Sequence, residues 1–207
     1  MSDKYTATRK SLNAVAEQVL AGPQHRAIGR IALRVTPDGF GTLTDPGLRV
    51  TATRLIGAAG EFGLDGSTCA GLAAAVGVAV GPPVDVYAAL TGVAPDEVLV
   101  VDAEAAGQLC AALQRGDAAL RRLAPDQPPV LWPEHFDVGI TLDEVNYGVS
   151  PGDDYLAEPY AYVGPWQPRT GEFWNAPFGA CRPLRDLPGE ALDEFLARGQ
   201  GLAAASA

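Results

Sequence analysis

The hydrophobic positions of the first residues recur at helical spacing. Leu12, Val15 and Val19 fall three to four residues apart, which places them on one face of a helix. This spacing predicts a helix over residues 4–20. The dipeptide Gly22-Pro23 is a typical helix terminator, so we expect the helix to end there.

The pattern then changes to strict alternation, which is typical of half-buried strands. Residues 30–35 alternate cleanly and are followed by the turn sequence Pro37-Asp38-Gly39. A second strand is predicted over residues 48–56 and a third over residues 61–64. This part of the chain therefore favours a small antiparallel sheet.

Helical spacing returns after residue 66, where Ser67 or Thr68 can cap a short alanine-rich helix that ends near Gly77. Residues 84–90 fit a strand and a helix equally well. Residues 98–101 resemble a short buried strand or the approach to a helix.

Two further helices are predicted in the remainder of the chain. Asp102 can cap a helix that Gly116 breaks, after which the chain adds another turn or two. The last helix is expected over residues 188–198, with Asp186 as its cap and Gly199 as its end.

The proline-rich segment 124–129 is the strongest candidate for an internal boundary. We predict one α+β domain over residues 1–207, in which an antiparallel sheet carries the helices of both chain ends on one face. Two lobes, over residues 1–125 and 129–200, are the open alternative.

Residues 130–150 fit a β-hairpin whose turn is Asp143-Glu144. A longer loop would shift the register by one residue, because Asp-Glu is not a favoured two-residue turn. With the short turn, three apolar pairs share one face: Leu142–Val145, Ile140–Tyr147 and Val138–Val149. Gly139 then faces Gly148 on the opposite face and leaves a gap there. The polar residues around this gap are His135, Asp137, Thr141, Asn146 and Ser150.

Three motifs in this half of the chain are distinctive. They are Trp132-Pro133-Glu134-His135-Phe136-Asp137, Asn146-Tyr147-Gly148-Val149-Ser150-Pro151-Gly152-Asp153 and Glu158-Pro159-Tyr160-Ala161-Tyr162. On these motifs the chain resembles an uncharacterised family of bacterial proteins, mainly actinobacterial. The resemblance implies an α+β domain. It carries over no catalytic residue, since the family has no assigned activity.

Composition singles out the same region. Ten of the fifteen aromatic residues, including all three tryptophans, lie between residues 132 and 178, together with eight carboxylates and one basic residue. The net charge of −10 argues against binding to nucleic acid and to anionic membranes. The polar N-terminus and the three widely spaced cysteines predict a cytoplasmic protein.

The clustered acids suggest two kinds of chemistry. His135, Asp137, Asp153 and Asp154 are candidate ligands for a divalent metal ion, although their spacing matches no established zinc motif. His135, Asp137 and Glu158 are candidate catalytic groups. Carboxylate acid–base chemistry is suggested by Glu134 and Glu158, because their aromatic neighbours provide apolar surroundings that raise a carboxyl pKa. The alternative is that these acids only decorate surface turns.

Six aromatic residues can line a pocket, although such residues also build ordinary cores: Trp132, Tyr147, Tyr160, Tyr162, Trp166 and Trp174. The main hypothesis is a small-molecule-binding protein with its site over residues 132–162. The alternatives are a metal- or carboxylate-dependent enzyme of hydrolase or isomerase type using His135 and Asp137, and an interaction protein whose aromatic patch meets a partner or forms a homodimer. The sequence indicates no particular cofactor. The predicted ligand-binding residues are Trp132, Asn146, Ser150, Tyr160 and Tyr162.

Overall fold

The computed structural model describes residues 2–44, 47–87 and 91–205. It contains two five-stranded antiparallel sheets, with helices at both chain ends, and so confirms the α+β class. The first sheet consists of β1 (Arg34–Thr36), β2 (Gly39–Gly41), β3 (Arg49–Thr51), β4 (Arg54–Gly57) and β5 (Gly60–Gly63), in chain order. The second consists of β6 (Val130–Trp132), β7 (Asp137–Leu142), β8 (Val145–Ser150), β9 (Tyr160–Pro165) and β10 (Ala180–Pro183), also in chain order.

The first sheet is more finely divided than the sequence predicts. The strand predicted over residues 30–35 begins only at Arg34, and the one predicted over residues 48–56 is two strands, β3 and β4. The Thr51 hydroxyl accepts a hydrogen bond from the Arg54 backbone N–H at 3.2 Å, which closes a turn between them. A side-chain hydrogen bond of this kind competes with extension of the strand.

The N-terminal helix continues past its predicted end. Helix α1 (Asp3–Val15) passes through a π-helical turn at Ala16–Ala21 into α2 (Gly22–Ile28). In the π register, residue 23 would donate to the Gln18 carbonyl, but a proline has no N–H. That carbonyl instead accepts a hydrogen bond from the Gly81 backbone N–H at 3.0 Å, so the proline leaves no unsatisfied group.

Two other predicted helix ends are wrong for a common reason. Helix α4 (Ala103–Leu123) runs through Gly116, and α5 (Ala191–Ala204) runs through Gly199. A Cβ at Gly116 would lie 2.6 Å from Val149 Cβ, and one at Gly199 would lie 2.7 Å from a Val163 methyl group. Both glycines therefore allow close helix–sheet packing. Of the caps predicted for these two helices, Asp102 is confirmed, because its side chain accepts hydrogen bonds from two backbone N–H groups of α4. Asp186 is not the cap of α5, because it lies in a separate 3₁₀ turn before that helix.

The second sheet carries the predicted hairpin in its predicted register. Val138 pairs with Val149, Gly139 with Gly148, and Ile140 with Tyr147. Asp143 and Glu144 form the turn with φ angles of 48° and 61°. These positive angles match the right-handed twist of the strands, and the apolar pairing outweighs the poor turn propensity of Asp-Glu.

Residues on both sides of the proline-rich segment contribute to one buried cluster. Leu33, before the proline-rich segment, and Leu131, after it, form an isolated β-bridge. Helix α4 packs against strands of both sheets. The choice between one domain and two lobes stays a prediction.

The short helix α3 (Cys69–Ala75) begins at the predicted cap Thr68, whose hydroxyl accepts from the Gly71 N–H at 3.0 Å.

Residues 84–90, which fit a strand and a helix equally well, lie only partly within the described ranges. Residues 84–87 form a bend, and residues 88–90 lie outside the described part of the chain. Residues 98–101 contain no strand, although Val98 forms an isolated bridge with Thr68. Within the described ranges, no helix has the length and apolar character needed to cross a membrane.

Candidate functional site

A cleft of about 630 Å³ lies over the polar face of the second sheet. Its base consists of side chains of β7, β8 and β9 that the strand register places on one face of the sheet. The valines of the same strands lie on the other face, against α4 and α5. Its rim comes from the segments just outside the strands. The lining residues of the floor include Asp137, Asn146, Ser150, Tyr160 and Tyr162, and those of the rim include His135, Asp153, Tyr155, Trp166, Pro177 and Phe178.

The gap predicted at Gly139 and Gly148 is filled. Strand β9 pairs with β8 so that Tyr162 stands opposite Gly148, and its ring lies across that glycine. A Cβ added at Gly148 would lie 2.7 Å from Tyr162 Cε1, so only glycine leaves room for the phenol. The two glycines therefore seat an aromatic side chain of the protein, and the open space begins beyond it.

Asp137 is the most deeply buried acid of the cleft, with 6% of its surface exposed. Its Oδ2 accepts a short hydrogen bond from the Tyr162 hydroxyl. Its Oδ1 is buried and has no hydrogen-bond partner among the described residues. Burial penalises the charged form and raises the pKa of Asp137 to about 6, although the Tyr162 hydrogen bond and nearby His135 act in the opposite direction.

A second acid–phenol pair lies beside the first. The Tyr160 hydroxyl donates to Asp153 Oδ2 at 2.5 Å, and burial together with this carboxylate raises the pKa of Tyr160. Asp153 Oδ1 accepts from the backbone N–H groups of Tyr155 and Leu156, at 2.8 and 2.9 Å. Asp153 thus fixes the turn after β8, and its three hydrogen bonds leave it little capacity for a ligand.

Ser150 ends β8 and is 3% exposed. Its hydroxyl accepts a hydrogen bond from the Gly152 backbone N–H at 3.0 Å, which is the structural role expected of a serine that opens a proline turn. It lines the cleft as a part of that turn.

Three exposed aromatic rings form the rim. Tyr155 and Phe178 meet edge to face, with ring centroids 5.0 Å apart, and Trp166 is 59% exposed. The Trp166 indole N–H donates to Asn146 Oδ1 at 3.3 Å, and that oxygen also accepts from the Thr141 hydroxyl at 2.8 Å. The predicted binding residue Asn146 therefore also orients the indole at the mouth of the cleft.

Three of the predicted site residues lie elsewhere. Trp132 stands opposite Asp137 in the β6–β7 register but is not among the described residues that line the cleft. Glu158 forms a close ion pair with Arg185. Asp154 lines a neighbouring hollow of about 580 Å³ between α1 and the segment around residue 152, and His135 borders both spaces.

The predicted metal ligands do not assemble. Asp137 and Asp153 each bond to a tyrosine, and Asp154 faces the neighbouring hollow. In the described portion of the chain, no three histidine, cysteine or carboxylate side chains converge closely enough to hold a metal ion.

The sequence did not identify Tyr155 and Phe178 as residues that line the cleft. Both lie in segments that connect strands, where no periodicity reveals which way a side chain points. Trp166 directly follows β9, two residues beyond Gly164, which pairs with Asn146. It continues the alternation of Tyr160 and Tyr162 past the end of the strand, and it is one of the aromatic residues that the sequence predicts to line a pocket.

No family model, curated protein or solved structure matches this chain. The resemblance to the actinobacterial family stays a prediction.

Proposed function

We propose that this protein binds a small molecule in the cleft over β7, β8 and β9. The observation that carries the proposal is the unpartnered carboxylate oxygen of Asp137 at the floor of an aromatic cleft. A buried polar atom without a partner is costly, so a ligand that satisfies it gains binding free energy.

The size and chemistry of the cleft support the proposal. Its volume of about 630 Å³ lies within the usual range for small-molecule sites. Five aromatic side chains contribute to its walls, and the polar side chains of Asp137, Asn146 and Ser150 lie at its floor. Rigid aromatic walls with a small number of polar anchors are typical of such sites.

The floor is also held in place before any ligand arrives. Asp137 fixes the Tyr162 phenol, Asp153 fixes the Tyr160 phenol, and both phenols stand on a paired central strand. Side chains fixed in this way lose little further conformational entropy on binding.

A thermal-shift screen of the intact chain against a metabolite library tests the proposal. We expect at least one compound to raise the Tm, and we expect Trp166→Ala and Phe178→Ala to reduce that shift. Leu43→Ala is the control, because Leu43 is about as exposed as Phe178 (43% against 38%) but lies outside the cleft. Equal loss in all three variants, or no stabilising compound, would contradict the proposal.

A second candidate function is acid–base catalysis by Asp137. One observation favours it: burial raises the pKa of this carboxyl to about 6, near the range in which an acid or base works at neutral pH. If the bound compound is turned over, Asp137→Asn should abolish turnover, and Asp154→Asn, the same change outside the cleft, should not. Unchanged turnover in Asp137→Asn would exclude this role for Asp137.

A cytoplasmic location is part of the proposal. It is supported by Cys69, Cys110 and Cys181, which are buried free thiols. The homodimer stays a prediction, which light scattering on the purified chain tests directly.

A further inference from the structure

The charges that face the cleft are unbalanced. Asp137 and Asp153 contribute carboxylates, and among the described lining residues none is lysine or arginine. His135 is the only lining side chain in the described part of the chain that can become cationic, and it is exposed. The remaining titratable groups at the cleft are the phenols of Tyr155, Tyr160 and Tyr162, which are neutral at physiological pH.

The two carboxylates are not equivalent. Asp153 accepts three hydrogen bonds from its own turn and from Tyr160, so its charge is stabilised within the protein. Asp137 accepts one side-chain hydrogen bond, from Tyr162, and forms no salt bridge within the described chain, although nearby His135 favours its charged form. A buried anion with an unpartnered oxygen is stabilised most strongly by a donor that also carries positive charge.

The aromatic walls fit the same kind of group. Tyr155, Trp166 and Phe178 are exposed at the rim, and Tyr160 and Tyr162 lie below them. Aromatic ring faces attract organic cations through the quadrupole of the ring, and tryptophan does so most strongly. The cleft is far larger than an ammonium ion, so it has room for an organic body attached to the charge.

We infer that the ligand is a small organic cation whose N–H group bonds to Asp137 Oδ1 while the rim aromatics enclose its apolar part. This inference rests on the proposed function and specifies the chemical class of its ligand. A neutral donor would add no positive charge beside Asp137, and an anion would be repelled by Asp137 and Asp153.

Three probes of nearly equal size and different charge provide the test: benzylammonium, benzyl alcohol and benzoate. Their binding to the intact chain is measured by calorimetry and by tryptophan fluorescence at about pH 7.5, where Asp137 is ionised. We expect benzylammonium to bind at least about ten-fold more tightly than benzyl alcohol, the ratio typical of a hydrogen bond to a charged group. Benzoate should bind most weakly.

Two variants locate the effect. Asp137→Asn keeps the shape of the side chain and should remove the preference for benzylammonium. Asp154→Asn is the matched control, because it changes the net charge equally but lies outside the cleft. Equal loss of preference in both variants would attribute the effect to overall charge and overturn the inference.

If Asp137→Asn does not fold, the same point is tested by measuring the affinity of the wild-type protein for the probes as a function of pH. Below about pH 5 Asp137 is mostly protonated, so the preference for benzylammonium should fall while the affinity for benzyl alcohol stays constant. Nearby His135 and Glu134 also act electrostatically on Asp137, so the titration is repeated in His135→Gln. A preference that is independent of pH in both proteins would overturn the inference.

The outcomes separate the inference from the function beneath it. If all three probes bind equally and Phe178→Ala weakens all of them, the cleft is a binding site and the cationic class is wrong. If none of the probes binds at millimolar concentration and the metabolite screen is also negative, the proposed function fails and the inference fails with it.

Discussion

The ring of Tyr162 lies across Gly148 and places its hydroxyl on the carboxylate of Asp137. The three residues belong to three adjacent strands, β9, β8 and β7. A glycine on the middle strand thus lets a phenol from one neighbour reach an acid on the other, and this contact forms the floor of the candidate site.

Gly148→Ala should therefore disrupt the site. The added methyl group overlaps the Tyr162 ring, so we expect the free energy of unfolding to fall by about 1–3 kcal/mol. Urea denaturation followed by circular dichroism measures the change. Gly63→Ala is the control, since a Cβ there meets no atom within 4 Å and should change stability by less than about 0.5 kcal/mol. Equal effects in the two variants would show that the phenol does not need this space.

Two glycines of helix α4 should respond in opposite directions to the same substitution. Gly107→Ala places a methyl group in open space and should stabilise the protein by up to about 1 kcal/mol through helix propensity. Gly116→Ala forces a methyl group against Val138 and Val149 and should destabilise it by about 1–3 kcal/mol. Thermal denaturation of both variants checks the difference, and stabilisation by Gly116→Ala would refute the close contact.

The stability of the protein should depend on the protonation of Asp137. Because folding raises the pKa of this carboxyl from its ordinary value of 3.8 to about 6, the folded protein holds the proton more tightly than the unfolded chain does. The cost of the buried charge is therefore full above about pH 6 and vanishes below about pH 4, with a magnitude of about 3 kcal/mol. Relative to Asp137→Asn, the wild type should become more stable as pH falls through this window. A difference that is constant from pH 4 to pH 7 would contradict the raised pKa.

Tyr162→Phe should raise the pKa of Asp137 further, because it removes the hydrogen bond that favours the charged form. At neutral pH we expect a loss of about 1.5–3 kcal/mol of stability, and a smaller loss at low pH where the carboxyl is neutral. Carbon-detected NMR titration of the Asp137 carboxyl measures the shift. Tyr160→Phe is the control, because its hydroxyl bonds to Asp153; an identical shift in both variants would argue against a specific pair.

The hairpin was predictable because its apolar residues specify one register. A shift by a single residue would expose Val138, Ile140 and Val149, and burial of these side chains outweighs the unfavourable Asp143-Glu144 turn. The polar face of the cleft followed from the same register, which is why Asp137, Asn146 and Ser150 were identified together.

Other features depend on contacts that the local pattern does not contain. Glycine usually predicts the end of a helix, but at Gly22, Gly116 and Gly199 the helix continues. At each of these positions another part of the chain approaches the helix closely. The filling of the Gly148 gap required knowing that β9 pairs with β8 across the loop between them. Tyr155 and Phe178 reach the rim through irregular segments, where sequence periodicity carries no information.

The close packing at Gly116 and Gly199 has a consequence for the opposite side of the sheet. Val138, Val149 and Val163, which meet these helices, are sequence neighbours of Asp137, Gly148 and Tyr162. The sheet is a single layer, so any change in helix position moves the strands that carry the cleft floor. We therefore expect the depth at which α4 and α5 pack against the sheet to influence the separation of Asp137 and Tyr162, and the affinity for the proposed ligand to respond to residues that do not contact it.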